Sequence, residues 1–216
     1  MLPEPIVLID QTLLVTQFLT LFAVLDPISH TTLFLSVTGR LDPAERRKAA
    51  LICVPVAFAI LVVFAIIGQY ALAAMNISLI SFQIAGGIIL LIFALSMTLG
   101  DKEPAPASEA GASDAASVAI YPLAVPIIAG PGAMLAIVIL MDNNRLTFIE
   151  QMETVAMLGL NMLILLGLFL CGGTVSRLIG RHGANVLRRV MGILLAALSI
   201  NLILEATAKW LGLPAI

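Results

Sequence analysis

The chain reads as an all-α integral membrane protein, with six transmembrane helices in a 3+3 inverted repeat and the first and fourth helices broken near the midplane. Three observations predict this. Apolar residues make up 61% and charged residues 11% of the 216 positions, at a mean hydropathy of +1.11, whereas soluble domains carry about 25% charge. Six apolar stretches are each long enough to cross the hydrocarbon, which takes about 20 residues. Two of them are interrupted by prolines and polar or small residues at corresponding places in the two halves.

The spans fall at roughly 11–38, 49–74, 77–98, 118–141, 154–174 and 190–209. They form one membrane domain, 1–216, with a first three-helix repeat at 1–98 and a second at 118–216. The sequence before the first span, MLPEPIVLIDQTLL, has no positive charge and no small-residue cleavage site, so that span is expected to stay in the mature protein. A short polar bend around Asn76 separates the second and third spans. The connection 99–117, DKEPAPASEAGASDAAS after its first residues, is rich in Ala, Ser, Pro and acids; it is expected to be a flexible cytoplasmic linker with little to bury.

Charge placement sets the orientation. Arg40, Arg46, Arg47 and Lys48 follow the first span, Lys102 the third, and Arg177, Arg181, Arg188 and Arg189 the fifth. These are nine of the 11 basic residues, and all lie on one side; only Arg145 and Lys209 lie on the other. By the positive-inside rule the basic side is cytoplasmic and both termini face out. Tyr70 and Trp210 then fall in the outer aromatic belt.

The repeat rests on two alignments. Pro27 falls against Pro131, and Gly87 in QIAGGIILLIFALS against Gly192 in RVMGILLAALSINL. Three spans followed by three must enter from opposite sides. Interrupted spans at matching places in such halves point to a transporter site near the midplane. Gly86-Gly87 and Gly172-Gly173 are expected to permit close helix packing.

The chemistry concentrates at the two breaks. In the first, Asp26-Pro27-Ile28-Ser29-His30-Thr31-Thr32 interrupts an apolar run. Proline cannot donate to the helix ladder and disfavours helical geometry in the residue before it. The Ser29, Thr31 and Thr32 hydroxyls suit capping of the second half-helix. In the fourth span Pro126, Ala129, Gly130, Pro131, Gly132 and Ala133 form the counterpart, with glycines that let backbone approach a ligand. Asp26, near mid-depth, costs roughly 2.5–3.5 kcal/mol on insertion scales. Two roles suit it: to meet a cation, a proton or a substrate ammonium, or to cap the kinked helix. His30 either couples transport to protons or donates to a neighbouring carbonyl. One acid beside two positive half-helix ends suits a small zwitterion, its cationic end toward Asp26 and its carboxylate toward the backbone.

Asn161 and Asn201 read as inter-helix hydrogen-bond partners, and Glu205 as reaching the outer interface. Cys53 and Cys171 lie in apolar runs without metal-type spacing. With His30 and His182 as the only histidines, neither a metal pair nor a nucleophile triad is present, so no enzyme chemistry, cofactor or metal is expected beyond a coupling sodium near Asp26 or a proton. Nucleic acid has no basic stripe to meet. The bilayer is the expected partner; the oligomeric state is open.

LDPISHTTLFLSVT, YPLAVPIIAGPGAM and RRVMGILLAALSINLILE resemble the MarC family of bacterial inner-membrane proteins over almost the whole chain. The family's first motif runs Asp-Pro-x-Gly-Asn-x-Pro, then an apolar residue, Phe and Leu. Asp26, Pro27, Phe34 and Leu35 match it, while Ser29, His30 and Thr32 replace its glycine, asparagine and second proline. The resemblance implies six spans with both termini outside, and kinship with sodium- or proton-driven carriers of small neutral amino acids. A non-transporting scaffold or envelope sensor is the alternative. Drug efflux fits less well, because only 6% of residues are aromatic.

Overall fold

In a bilayer every backbone polar group needs an internal partner, and helices supply it locally. The fold, given by a computed structural model, describes residues 11–99, 115–143 and 146–214, with side chains throughout except at 173–182 and 184. Among the described residues there is no strand. The elements are α1 (Gln11–Leu25), α2 (Pro27–Val37), α3 (Pro43–Ala74), α4 (Leu79–Leu99), α5 (Ala115–Val118), an irregular segment (Ala119–Ile128), α6 (Pro131–Leu140), α7 (Phe148–Leu170) and α8 (Gly172–Leu211). Five helices are long and apolar enough to cross a membrane, counting α1 with α2, and six if the pair Ala115–Ile128 and Pro131–Leu140, bent by 58°, is one span.

Local signals set the ends. Asp42 caps α3, its Oδ1 accepting from Glu45 N at 2.8 Å, and Pro43 occupies the first turn. The helix therefore starts several residues before the apolar run predicted at 49. Asn76 closes α3 in the left-handed region at φ 55°, with Ile77 N reaching back to Leu72 O at 2.9 Å. Thr147 and Glu150 form a reciprocal capping box at the start of α7.

One connection differs from expectation. The stretch between the fifth and sixth spans is not a loop: α8 runs unbroken for 40 residues after the single-residue break at Cys171. Its first third lies outside the apolar window, which opens at Asn185. Hydropathy marks where lipid begins, but hydrogen bonding continues through GTVSRLIGRHGANVLRR because no proline stops it. Arg177, Arg181, Arg188 and Arg189 thus lie on a helix. The side chains of Arg177, Arg181, His182 and Gly173 lie outside the described set, as do residues 1–10, Lys102 with the rest of 100–114, and Arg145.

The halves interlace. The extensive packing of α1 is against α7, of α2 against α7 and α8, and of α3 against the irregular segment, α7 and α6; α4 lies chiefly on α8 and then α6. The α4–α8 pair is antiparallel and close. A methyl group at Gly87 would lie 3.1 Å from Ser199 O and 2.6 Å from Ile203 Cγ1; one at Gly192 would lie 3.0 Å from Ala94 O and 2.5 Å from Thr98 Oγ1. Gly86 makes equal room for Leu135 of α6, and Gly172 sits 3.1 Å from Leu35 by the same measure. Gly86, Gly87 and Gly172 thus pack closely as expected.

Buried polar groups tie the halves further. Gln17 Nε2 donates to Thr154 Oγ1 at 2.7 Å, Gln83 Nε2 to Leu202 O at 3.0 Å, and Asn161 Nδ2 to Phe18 O at 3.4 Å. Asn201 corrects its expectation: it bonds within its own helix, to Glu205 Oε1 at 2.9 Å, because it stands on the exposed face of α8. Tyr70 and Trp210 are 68% and 73% exposed, as interfacial aromatics should be.

Candidate functional site

The first break is a chain of substitutions in hydrogen bonding. Asp26 N closes α1 on Phe22 O at 3.0 Å, and the residue then turns left-handed at φ 35°, ψ 68°. Aspartate tolerates that region better than most side chains. Its Oδ1 accepts from Ser29 N at 3.2 Å and so caps α2. Ser29 N is the donor that would have bonded Leu25 O in an unbroken helix. The carbonyl so released is taken by the His30 ring through Nδ1. Since a carbonyl only accepts, Nδ1 is the donor of this bond.

The predicted hydroxyl caps are therefore corrected. Thr31 Oγ1 donates backward to Pro27 O at 2.6 Å, and Thr32 Oγ1 to Ser29 O at 2.8 Å, while Thr32 itself is exposed. A hydroxyl inside a helix finds the preceding carbonyl before any N–H. Of the two roles considered for Asp26 the cap is present, through Oδ1; Oδ2 is buried with no partner among the described residues, as is Ser29 Oγ one turn on.

The second break uses backbone alone. Tyr121 (φ −131°, ψ 124°) and Val125 (φ −133°, ψ 128°) are extended, each before a proline. Ala129 N then bonds Ala124 O at 2.9 Å. Gly130 caps α6 with no side chain involved, and Pro131 fills the first turn. Gly130 is required by close approach: a methyl there would lie 2.7 Å from Pro126 O. Met134 N reaches Gly130 O at 3.0 Å, so Gly132 and Ala133 keep the N–H groups that a helix start leaves without an internal acceptor.

The two breaks meet. Val24, just before the first, comes within 3.9 Å of where a side chain at Gly132 would begin. Between them and α4 lies a cavity of about 390 Å³. His30, Gly130, Pro131, Gly132 and Ala133 line it, as do Val24 and Pro126. Asp26, Pro27, Ser29, Thr31, Thr32 and Ala129 are not on its wall, although Asp26, Pro27, Ser29, Thr31 and Ala129 are buried close by in the chain. Sequence reasoning missed the α4 wall: Ile89, Leu90, Ile92, Phe93 and Ser96. Its signal was available in Gly86-Gly87, which bring α4 against α6 and α8. Among the described residues no cluster of His, Cys, Asp and Glu is suited to a metal.

These features define a polytopic helical membrane protein in which two discontinuous helices face a shared, mostly apolar cavity. The chain belongs to the MarC family of integral membrane proteins, whose family model matches residues 11–211. It is 32% identical to a UPF0056 membrane protein of Methanocaldococcus jannaschii over 201 residues, 91% of this chain and 96% of that one. It is 31% identical to a UPF0056 membrane protein of Aquifex aeolicus over 197 residues, 89% and 91% of the two chains. A UPF0056 membrane protein of Buchnera aphidicola is 27% identical over 201 residues, 91% and 97% of the chains. No solved structure matches.

Proposed function

We propose that the protein is a secondary transporter of small neutral amino acids or similar metabolites in a bacterial cytoplasmic membrane, both termini outside, coupled to a proton or sodium ion. One observation carries this reading: a cavity between two helix breaks presents an unpartnered helix start on one wall and the His30 side chain on another. The N–H groups of Gly132 and Ala133 suit a carboxylate. The His30 ring, through the nitrogen that Leu25 O does not engage, suits a substrate's polar end or a coupling proton. Buried Asp26 Oδ2 and Ser29 Oγ, one turn away, suit a coupling cation behind the substrate.

An inverted 3+3 repeat is part of the proposal, and the packing supports it. Exchanging the halves carries the α2–α8 contact onto α6–α4, α2–α7 onto α6–α3, and α1–α7 onto the irregular segment with α3. Gly87 meets Ser199 and Ile203, while Gly192 meets Ala94 and Thr98. One interval of 105 residues relates Gly87 to Gly192, Ala94 to Ser199 and Thr98 to Ile203. Such pseudo-symmetry underlies alternating access.

The test is thermal unfolding of detergent-purified protein with a panel of amino acids, with and without sodium, at two pH values. A concentration-dependent rise for one substrate group is expected, lost in Asp26→Asn while the variant still inserts and folds. Absence of any ligand response in both forms, together with absence of flux in liposomes under any ion gradient, would replace the carrier with a scaffold or sensor.

A further inference from the structure

A second cavity, of about 360 Å³, lies away from the helix breaks, where α2 and α7 end and α3 begins. Arg46 and Arg47 line one side; Leu35, Phe169 and Leu170 line the other. This is the face that carries most of the chain's basic residues.

Neither guanidinium has a carboxylate partner among the described residues. Glu45, the adjacent acid, pairs with Lys48 at 3.7 Å, and Asp42 Oδ1 is engaged by Glu45 N. Among the described residues Arg46 is held only by Nη2, which donates to Thr38 O at 3.3 Å, and its buried Nε has no acceptor. Arg47 is exposed. The opposite wall is firm: Phe169 stacks on Phe34 with ring centroids 4.3 Å apart and planes within 9°. Leu170, 44% exposed, continues that wall outward.

An occupant must be anionic at one end and apolar along one side. We propose that this cavity binds the phosphate of an anionic phospholipid, the phosphodiester between Arg46 and Arg47 and an acyl chain along Leu35 and Leu170. Two guanidiniums match the tetrahedral oxygens of a phosphate. Basic pockets between spans on the cytoplasmic side are where acidic headgroups are recognised. The site is independent of the transport reading.

The test titrates detergent-purified full-length protein with dioctanoyl phosphatidylglycerol, dioctanoyl phosphatidylcholine or inorganic phosphate and follows the unfolding midpoint. The phosphatidylglycerol is expected to raise the wild-type midpoint by roughly 5 °C at saturation, and the phosphatidylcholine to leave it unmoved. R46Q/R47Q should lose the response, whereas R40Q/K48Q, which removes equal charge outside the cavity, should keep it. If R46Q/R47Q fails to fold, R47E carries the test through an exposed residue, with the half-saturating lipid concentration raised roughly tenfold. Equal responses to the two lipids, a response that survives in R46Q/R47Q, or an unchanged half-saturating concentration in R47E, would overturn the site. Inorganic phosphate acting as strongly as the phosphatidylglycerol would overturn the lipid as occupant.

Discussion

The two helix breaks reach the same end by different means. At the first, side chains replace what the backbone loses: Asp26 caps, His30 answers the freed Leu25 carbonyl, and a carboxylate oxygen is left over. At the second, no side chain takes part; two extended pre-proline residues and a capping glycine turn the chain. One break can therefore carry chemistry that responds to ions. The other offers a fixed backbone surface whose dipoles do not titrate.

This contrast can be broken from either side. The largest expected effect is at the backbone break. Gly130→Ala should cost about 2–3 kcal/mol, since the added methyl meets a main-chain oxygen that cannot rotate away; unfolding in detergent with a graded denaturant checks it. Next comes Asp26→Ala, expected to lose about 1–2 kcal/mol with the cap. Asp26→Asn, which keeps the cap and tolerates the left-handed turn, should stay near wild type in the same measurement. A cost for asparagine equal to that for alanine would show that the charge, not the cap, supports the fold.

His30→Ala should cost about 1 kcal/mol by leaving the Leu25 carbonyl unanswered. His30→Asn should recover part of that, because the amide can still donate. The comparison bears on the motif, in which the MarC pattern has asparagine where this chain has histidine. Both residues can supply the donor; only histidine adds a second ring nitrogen. Thr32→Ala is the smallest, within about 0.5 kcal/mol, because the exposed hydroxyl only bonds back to Ser29 O.

Much of this was legible in the sequence. Proline and glycine in an apolar run announce both breaks, and paired glycines announce the α4–α8 contact. The assignment of roles within the first break was not. Capping turns the Asp26 carboxylate toward its own helix, so the histidine four residues on, rather than the acid, faces the cavity; composition does not show which way a side chain turns. The helical start of α8 was hidden for another reason. Charge ends a hydropathy window without ending a ladder of hydrogen bonds.

The interlacing of the halves has a consequence for biosynthesis. Spans enter the membrane in order, yet the extensive contacts of α1, α2, α3 and α4 are with elements translated later. Inserted helices that lack their partners must wait in lipid as separate, individually satisfied spans. The principal partner of α4, the long α8, is the last translated of the described helices. Assembly of the bundle is thus deferred until α8 has been made, and a chain truncated before α8 would leave the Gly87 face of α4 open to whatever else the membrane holds.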